Sequence, residues 1–226
     1  MITSASNPRL KLIRKLESRR QRDKLGLFVC EGEDLLDAAQ AAGIEPDDLL
    51  VAGEDVEPEL LAGVSTMAHP PRVISVYRRS DLPPFEQRPA SLALWRVSDP
   101  GNVGTLIRTA DAFGATIGLS EGCADPTAPR ALRASAGAIF RVPLGRFDDP
   151  AGRRVALVAC AGDPLASQEG PVVFVLGAER EGLPEDVVAA CDAVASIPIA
   201  ESAESLNVAV AGAIALYVGQ ASGLSR

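Results

Sequence analysis

From Ser91 onward short apolar runs, most of them followed by a turn of Gly, Pro or small polar residues, alternate with segments of helical spacing, with no internal sequence repeat. Ser91–Val97, Thr116–Leu119, Val155–Cys160, Pro171–Leu176 and Val194–Ile197 read as strands. Asn102–Phe113, Pro129–Ala134, Pro184–Ala190 and Leu206–Val218 read as helices. Such alternation predicts an α/β fold with a mostly parallel sheet and helices on both faces. Ligands in open sheets of this kind bind beyond the carboxyl ends of the strands. Three segments fall there: Asp99 to Gly114, Val175 to Pro184 and Ile197 to Val208.

The N-terminal half reads differently. Pro8 to about Lys24 predicts a basic amphipathic helix, with Leu10, Ile13 and Leu16 at helical spacing. Leu27–Val29, Leu49–Val51 and Val73–Val76 are strand candidates, and Glu33–Ala42 is a helix stopped by Gly43. Ser80 to Pro89, rich in proline and charge, is the expected linker. The expected division is therefore a small α/β domain over 1–84 and a second domain over 90–226.

A chain of 226 residues, 47% hydrophobic and 23% charged, has enough apolar mass for a real core. Cys30, Cys123, Cys160 and Cys191 form no C-x-x-C pair, and His69 is the sole histidine. That argues against a structural metal site and for reduced, buried thiols in a cytoplasmic setting. The N-terminus lacks the apolar stretch of a signal peptide, and the longest apolar run, Val208 to Val218, is too short to span a bilayer. The net charge of −8 disfavours nucleic acid as a partner. Its distribution does not, because Arg9, Lys11, Arg14, Arg19, Arg20 and Arg22 crowd the first helix. Local charge density governs phosphate binding, and the alternative is a solvated helix face.

The three segments carry candidate chemistry. Asn102 follows a Pro-Gly turn and could cap its helix. Arg108 sits in an otherwise apolar helix, where it either pairs with Asp111 or offers its planar fork to a phosphate. Gly177 to Gly182 has P-loop spacing, but Leu183-Pro184 replaces the Lys-Ser/Thr that would complete it. No G-x-G-x-x-G is present. Glu179 lies in that glycine turn as a hydrogen-bond acceptor. Ser205 is a natural cap for the last helix, which would put Asn207 in its first turn, and Gly212 permits close helix packing.

These residues resemble the three signature motifs of the SpoU (TrmH-like) RNA ribose 2′-O-methyltransferases of the SPOUT class. D-P-G-N-V-G-T-L-I-R-T-A-D-A-F-G looks like the first, L-G-A-E-R-E-G-L the second and I-P-I-A-x-x-A-E-S-L-N-V the third. Many members carry Asn before the second motif's Glu, where this chain has Ala178. The N-terminal half, with Asn7-Pro8, the basic helix and Phe28 to Gly32, is similar to the family's RNA substrate-binding domain.

The resemblance implies a trefoil knot in the C-terminal domain, S-adenosylmethionine as cofactor and a homodimer whose sites draw on both chains. It implies cofactor contacts at Leu176, Gly177, Gly182, Ile197, Ala200, Ser205 and Leu206. Arg108 is then expected to orient the ribose hydroxyl through the neighbouring phosphate, Asn102 and Glu179 to shape the catalytic pocket, and Ser205 and Asn207 to support cofactor and substrate. The full N-terminal domain favours rRNA over tRNA. Neither a metal nor a membrane is expected. The rival readings are a tRNA ribose methyltransferase, a catalytically idle RNA-binding protein of the same fold, a base methyltransferase and a nucleotide-dependent Rossmann enzyme.

Overall fold

The structure is a computed structural model and describes residues 1–159 and 161–220. Cys160, expected to be a buried thiol at a strand end, lies outside the described residues. Helix α1 (Pro8–Leu16) opens with Asn7, whose side chain accepts the amide of Arg9, and with Pro8 at the first helical position. The predicted single helix over 8–24 is two. A second helix, α2 (Arg19–Leu25), follows a break at Glu17–Ser18. Arg22 fastens the break: its guanidinium turns back to donate to the carbonyls of Leu16 and Glu17, each at 2.8 Å.

Strand β1 (Leu27–Glu31) leads to α3 (Glu33–Ala41), β2 (Asp48–Val51), the short α4 (Pro58–Ala62) and β3 (Val73–Arg78). The sheet order is β1-β3-β2, with both pairings antiparallel. Leu10, Ile13 and Leu16 of α1 cover one face, against Val29, Leu50, Ile74 and Val76. Phe28, Leu35, Ala39 and Tyr77 point the other way and share a core with Ile139 and Phe140 of the C-terminal half. Phe28, Tyr77 and Phe140 form an aromatic trio, Phe28 stacked on Tyr77 and Phe140 edge-on to Tyr77, with centroids 5.1 to 6.3 Å apart.

The segment between the halves is fastened down rather than loose. Gln87 exchanges two hydrogen bonds with the backbone of Ala151, at 2.8 and 3.0 Å, and the carbonyl of Glu86 accepts the Thr116 hydroxyl at 2.7 Å.

The C-terminal half contains β4 (Ala90–Leu94), α5 (Pro100–Ala112), β5 (Thr116–Leu119), α6 (Pro129–Ser135), β6 (Leu144–Arg146) and β7 (Arg153–Leu157). There follow β8 (Asp163–Pro164), β9 (Val172–Leu176), α7 (Glu185–Ala189), β10 (Ala193–Ser196) and α8 (Val208–Gln220). The seven strands lie in the order β6-β5-β4-β9-β7-β10-β8, and every pairing is parallel. Among the described residues no helix separates β7 from β9, so the alternation breaks there. Helices α5 and α8 pack together over one face, where a Cβ on Gly212 would lie 2.4 Å from Leu106. The other face is thinly covered, by Phe147, Leu183, Val187 and Cys191 against Ala93, Val173 and Val175.

A buried ionic cluster joins the halves. Arg22 and Asp125 pair at 2.8 Å with side chains only 4% and 5% exposed. Arg79 adds bonds to Asp125 and Thr127. Burial pushes the Asp125 carboxyl up, yet the hydroxyl and amide of Thr127 with Arg79 and Arg22 hold it below its ordinary value. Removing Asp125 strands two arginines, so Asp125→Ala should cost about 3–5 kcal/mol in urea unfolding, while a joint Arg22→Met, Asp125→Leu exchange should recover only part of it, because Arg79 and the Leu16 and Glu17 carbonyls still lose a partner. The Asp125 contribution should be complete above the unfolded carboxylate value of about 3.9 and fade as pH falls through the lower folded value.

Candidate active site

The three motif segments converge at the carboxyl ends of β4, β9 and β10. The second and third line a crevice of about 520 Å³, within the range of small-molecule sites, and the first joins them through the Asn102 side chain. Leu176, Gly177, Gly182, Ile197, Ser205 and Leu206 all line it. Ala200 does not, and its neighbour Ile199 lines the wall instead; the Ala200 carbonyl closes a turn by accepting the Ala203 amide. Leu157, Val158 and Ala159 add a wall that no motif announces, because only the placement of β7 between β9 and β10 brings them there.

The glycine turn after β9 is a tight hairpin. Ala178 and Gly182 exchange two backbone hydrogen bonds, at 2.9 and 3.1 Å. A Cβ on Gly177 would sit 2.3 Å from the carbonyl carbon of Gly182, so only glycine fits. Ala178 serves through its backbone, which explains how the turn forms without a polar side chain there.

That hairpin presents Glu179 to the start of α5. Its carboxylate accepts the amides of Ser98 and Asp99 at 3.4 and 3.3 Å, and the Asn102 side-chain amide at 3.0 Å. The carbonyl of that Asn102 amide accepts Nδ2 of Asn207 at 3.1 Å. The result is a directional chain, Asn207 to Asn102 to Glu179, with one residue from each motif. Partial burial pushes the Glu179 carboxyl up, but the Asn102 amide and the backbone amides outweigh it, so the carboxyl sits below its ordinary value and is ionised at neutral pH.

Two capping expectations are corrected. Asp99, not Asn102, caps α5, accepting the Asn102 amide at 3.0 Å with Pro100 in the first turn. This frees the Asn102 side chain for Glu179. Asn207, not Ser205, caps α8, accepting the amides of Ala209 and Val210. One side chain thus fixes both the helix start and the link to Asn102.

Arg108 is exposed on α5, away from the crevice lining. The local pair with Asp111 does not form, because Asp111 is taken by Arg141 at 2.6 Å. Among the described residues Arg108 has no ion pair. Thr105 and Ala112 share its exposed stripe, and Val210 and Tyr217 of α8 are exposed on the same layer, Tyr217 packing on Phe113.

The N-terminal cations separate into two groups. Arg22 is buried in the ionic cluster, which removes it from the expected RNA-binding set. Arg9 is engaged by Asp48 and the Leu49 carbonyl. Lys11, Arg14, Arg19 and Arg20 are exposed, with Arg14 and Arg19 donating to backbone carbonyls. Among the described residues no group of three or more His, Cys, Asp or Glu is placed to hold a metal, and no helix is long and apolar enough to cross a membrane.

Residues 89–217 match the SpoU rRNA Methylase family, and residues 7–79 match the MRM3-like substrate binding domain. An uncharacterized tRNA/rRNA methyltransferase of Synechocystis is 31% identical, the alignment covering 96% of this chain and 92% of the relative. The 23S rRNA (guanosine(2553)-2′-O)-methyltransferase RlmP of Bacillus subtilis is 30% identical, with 96% and 97% covered. The AdoMet-bound rRNA methyltransferase of Sinorhizobium meliloti superposes with a TM-score of 0.88 at 29% identity, over 99% of this chain and 98% of that one. With the three motif segments joined by one hydrogen-bonded chain and both halves matched, the chain belongs to the SpoU rRNA methylase family.

Proposed function

We propose that this protein is an S-adenosylmethionine-dependent methyltransferase acting on a ribose 2′-hydroxyl of RNA, with rRNA as the substrate. The observation that carries the reading is the Asn207–Asn102–Glu179 chain at the lip of the crevice. The activity and the rRNA preference draw support from the Bacillus relative, and the cofactor from the Sinorhizobium structure. The crevice fits such a cofactor: its walls are apolar side chains from Leu157, Leu176, Ile197 and Leu206, and its floor is the backbone of the Gly177–Gly182 hairpin. Leu176, Gly177, Gly182, Ile197, Ser205 and Leu206 would hold it. When bound, it supplies an electrophilic methyl group to the ribose oxygen.

The chain's own contribution is positioning. Glu179 stays ionised and orders Asn102, which orders Asn207. Held geometry of this kind can lower a barrier by several kcal/mol. Arg108 is always protonated and therefore no base; its planar fork suits the phosphate beside the reacting ribose. The exposed cations Lys11, Arg14, Arg19 and Arg20 would bind RNA backbone elsewhere, with the salt dependence such contacts carry.

The position of Arg108 also supports a homodimer. It is exposed on the α5–α8 layer and does not line its own crevice, so a second copy packed there would carry Arg108 to the partner's site. The strand order, with β9 and β10 on opposite sides of β7 and α8 returning to α5 and β4, supports a knotted path through the motif loops. Domains over 1–84 and 90–226 and a cytosolic location accord with the same reading.

Arg108→Ala should lower methyl transfer to unmethylated rRNA about a hundredfold or more, with folding and cofactor affinity unchanged. Glu179→Gln removes the charge and replaces one of the two oxygens that accept three donors with an N–H donor, and should lower kcat about tenfold or more. Mixing the two impaired proteins should raise activity above that of either alone, because a mixed dimer holds one site with Glu179 from one chain and Arg108 from the other. No recovery despite mixed dimers would contradict the shared site, and full turnover by Arg108→Ala would contradict its role.

A further inference from the structure

Beside the cofactor crevice, across the Ala178–Gly182 hairpin, lies a second cleft of about 290 Å³. One wall is Trp95 and Arg96; the other includes Glu181 and Asp186. Trp95 is the only tryptophan of the chain and is half-buried at the end of β4, its amide donating to the Leu176 carbonyl at 2.8 Å. It stands edge-on to Phe147, with centroids 5.2 Å apart. The Arg96 guanidinium lies over its ring at 5.7 Å from the centroid.

Arg96 adopts a φ of +51°. Only one other described non-glycine residue, Ala136, has a positive φ, and it ends helix α6. Arg96 ends no helix. Its strained backbone is held by its amide donating to the Ser120 hydroxyl at 2.8 Å, and its side chain lies against Gly122. Strain fixed by its surroundings at the rim of a site is a mark of function. Among the described residues Arg96 has no ion pair, so its cation is committed to the ring alone.

We infer that this cleft takes an unstacked nucleobase of the RNA, next to the ribose that is methylated. The inference rests on the reading of RNA as substrate. An indole and a guanidinium plane are the two surfaces on which single-stranded bases stack. Ser98, three positions beyond Trp95, donates its amide to Glu179, so the base would lie beside the catalytic chain. The opposite wall decides against a backbone phosphate. Glu181 and Asp186 have no ion pair among the described residues and would repel it, whereas their carboxylates accept N–H groups from a base edge. Trp95 and Arg96 would thus be substrate-binding residues that position the target nucleotide.

The single tryptophan makes the test direct. A mixed-sequence single-stranded RNA oligonucleotide should quench Trp95 fluorescence, and an abasic oligomer of equal length and charge should not. Arg96→Gly relaxes the backbone strain, so it should fold, and should raise the KM for rRNA about tenfold at unchanged kcat and cofactor affinity. Trp95→Ala should act in the same direction. Equal response to both oligomers, or an unchanged KM in an enzyme whose wild type methylates rRNA, would overturn the base platform and leave the methyltransferase reading standing. Base-dependent quenching in a protein that methylates no RNA would support the platform and sink the activity.

Discussion

The carboxylate of Glu179 joins the two loops on which the site is built. The hairpin that carries it and the turn that opens α5 belong to strands β9 and β4, adjacent in the sheet but about eighty residues apart in sequence. Three donors from the Ser98–Asn102 turn meet on that one group. Because it is ionised, each bond is charge-assisted and stronger than a neutral pair. The third loop is recruited through Asn207, whose single side chain starts α8 and reaches Asn102. Loss of the charge would loosen three loops together, and with them the wall of the crevice.

The N-terminal half is fixed relative to that site by burial rather than by the linker. Phe28 and Tyr77 enter the same core as Phe140, and the Arg22–Asp125–Arg79 cluster ties α2 and the end of β3 to the loop before α6. An ionic cluster is a weak source of stability when compared with apolar packing, but it tolerates only one geometry. It sets where the exposed cations of α1 and α2 stand with respect to the crevice. One of the basic residues that gives the N-terminal segment its RNA-binding look is therefore spent on architecture.

Much of this was legible in sequence. Strong apolar runs placed β4, β5 and β9 to within a residue or three, because burial on both faces leaves little choice of composition, and placed the half-buried β10 to within one. The motif residues Asn102, Glu179 and Asn207 meet in one hydrogen-bonded chain. What sequence could not supply was competition among partners. Asp99 wins the cap of α5 over Asn102, Asn207 wins the cap of α8 over Ser205, and Arg141 wins Asp111 from Arg108. In each case both candidates are chemically able, and tertiary placement decides. The break at Glu17–Ser18 and the burial of Arg22 are of the same kind, since the acceptor Asp125 is a hundred or so residues away. The wall from β7 was invisible because strand order, not strand existence, puts it there.

The most direct measurement is transfer of labelled methyl from S-adenosylmethionine to purified unmethylated rRNA and tRNA in parallel, followed by digestion to nucleosides. The account predicts label in a 2′-O-methyl nucleoside from the rRNA pool. Label on a base, or in neither pool with cofactor bound, would contradict it.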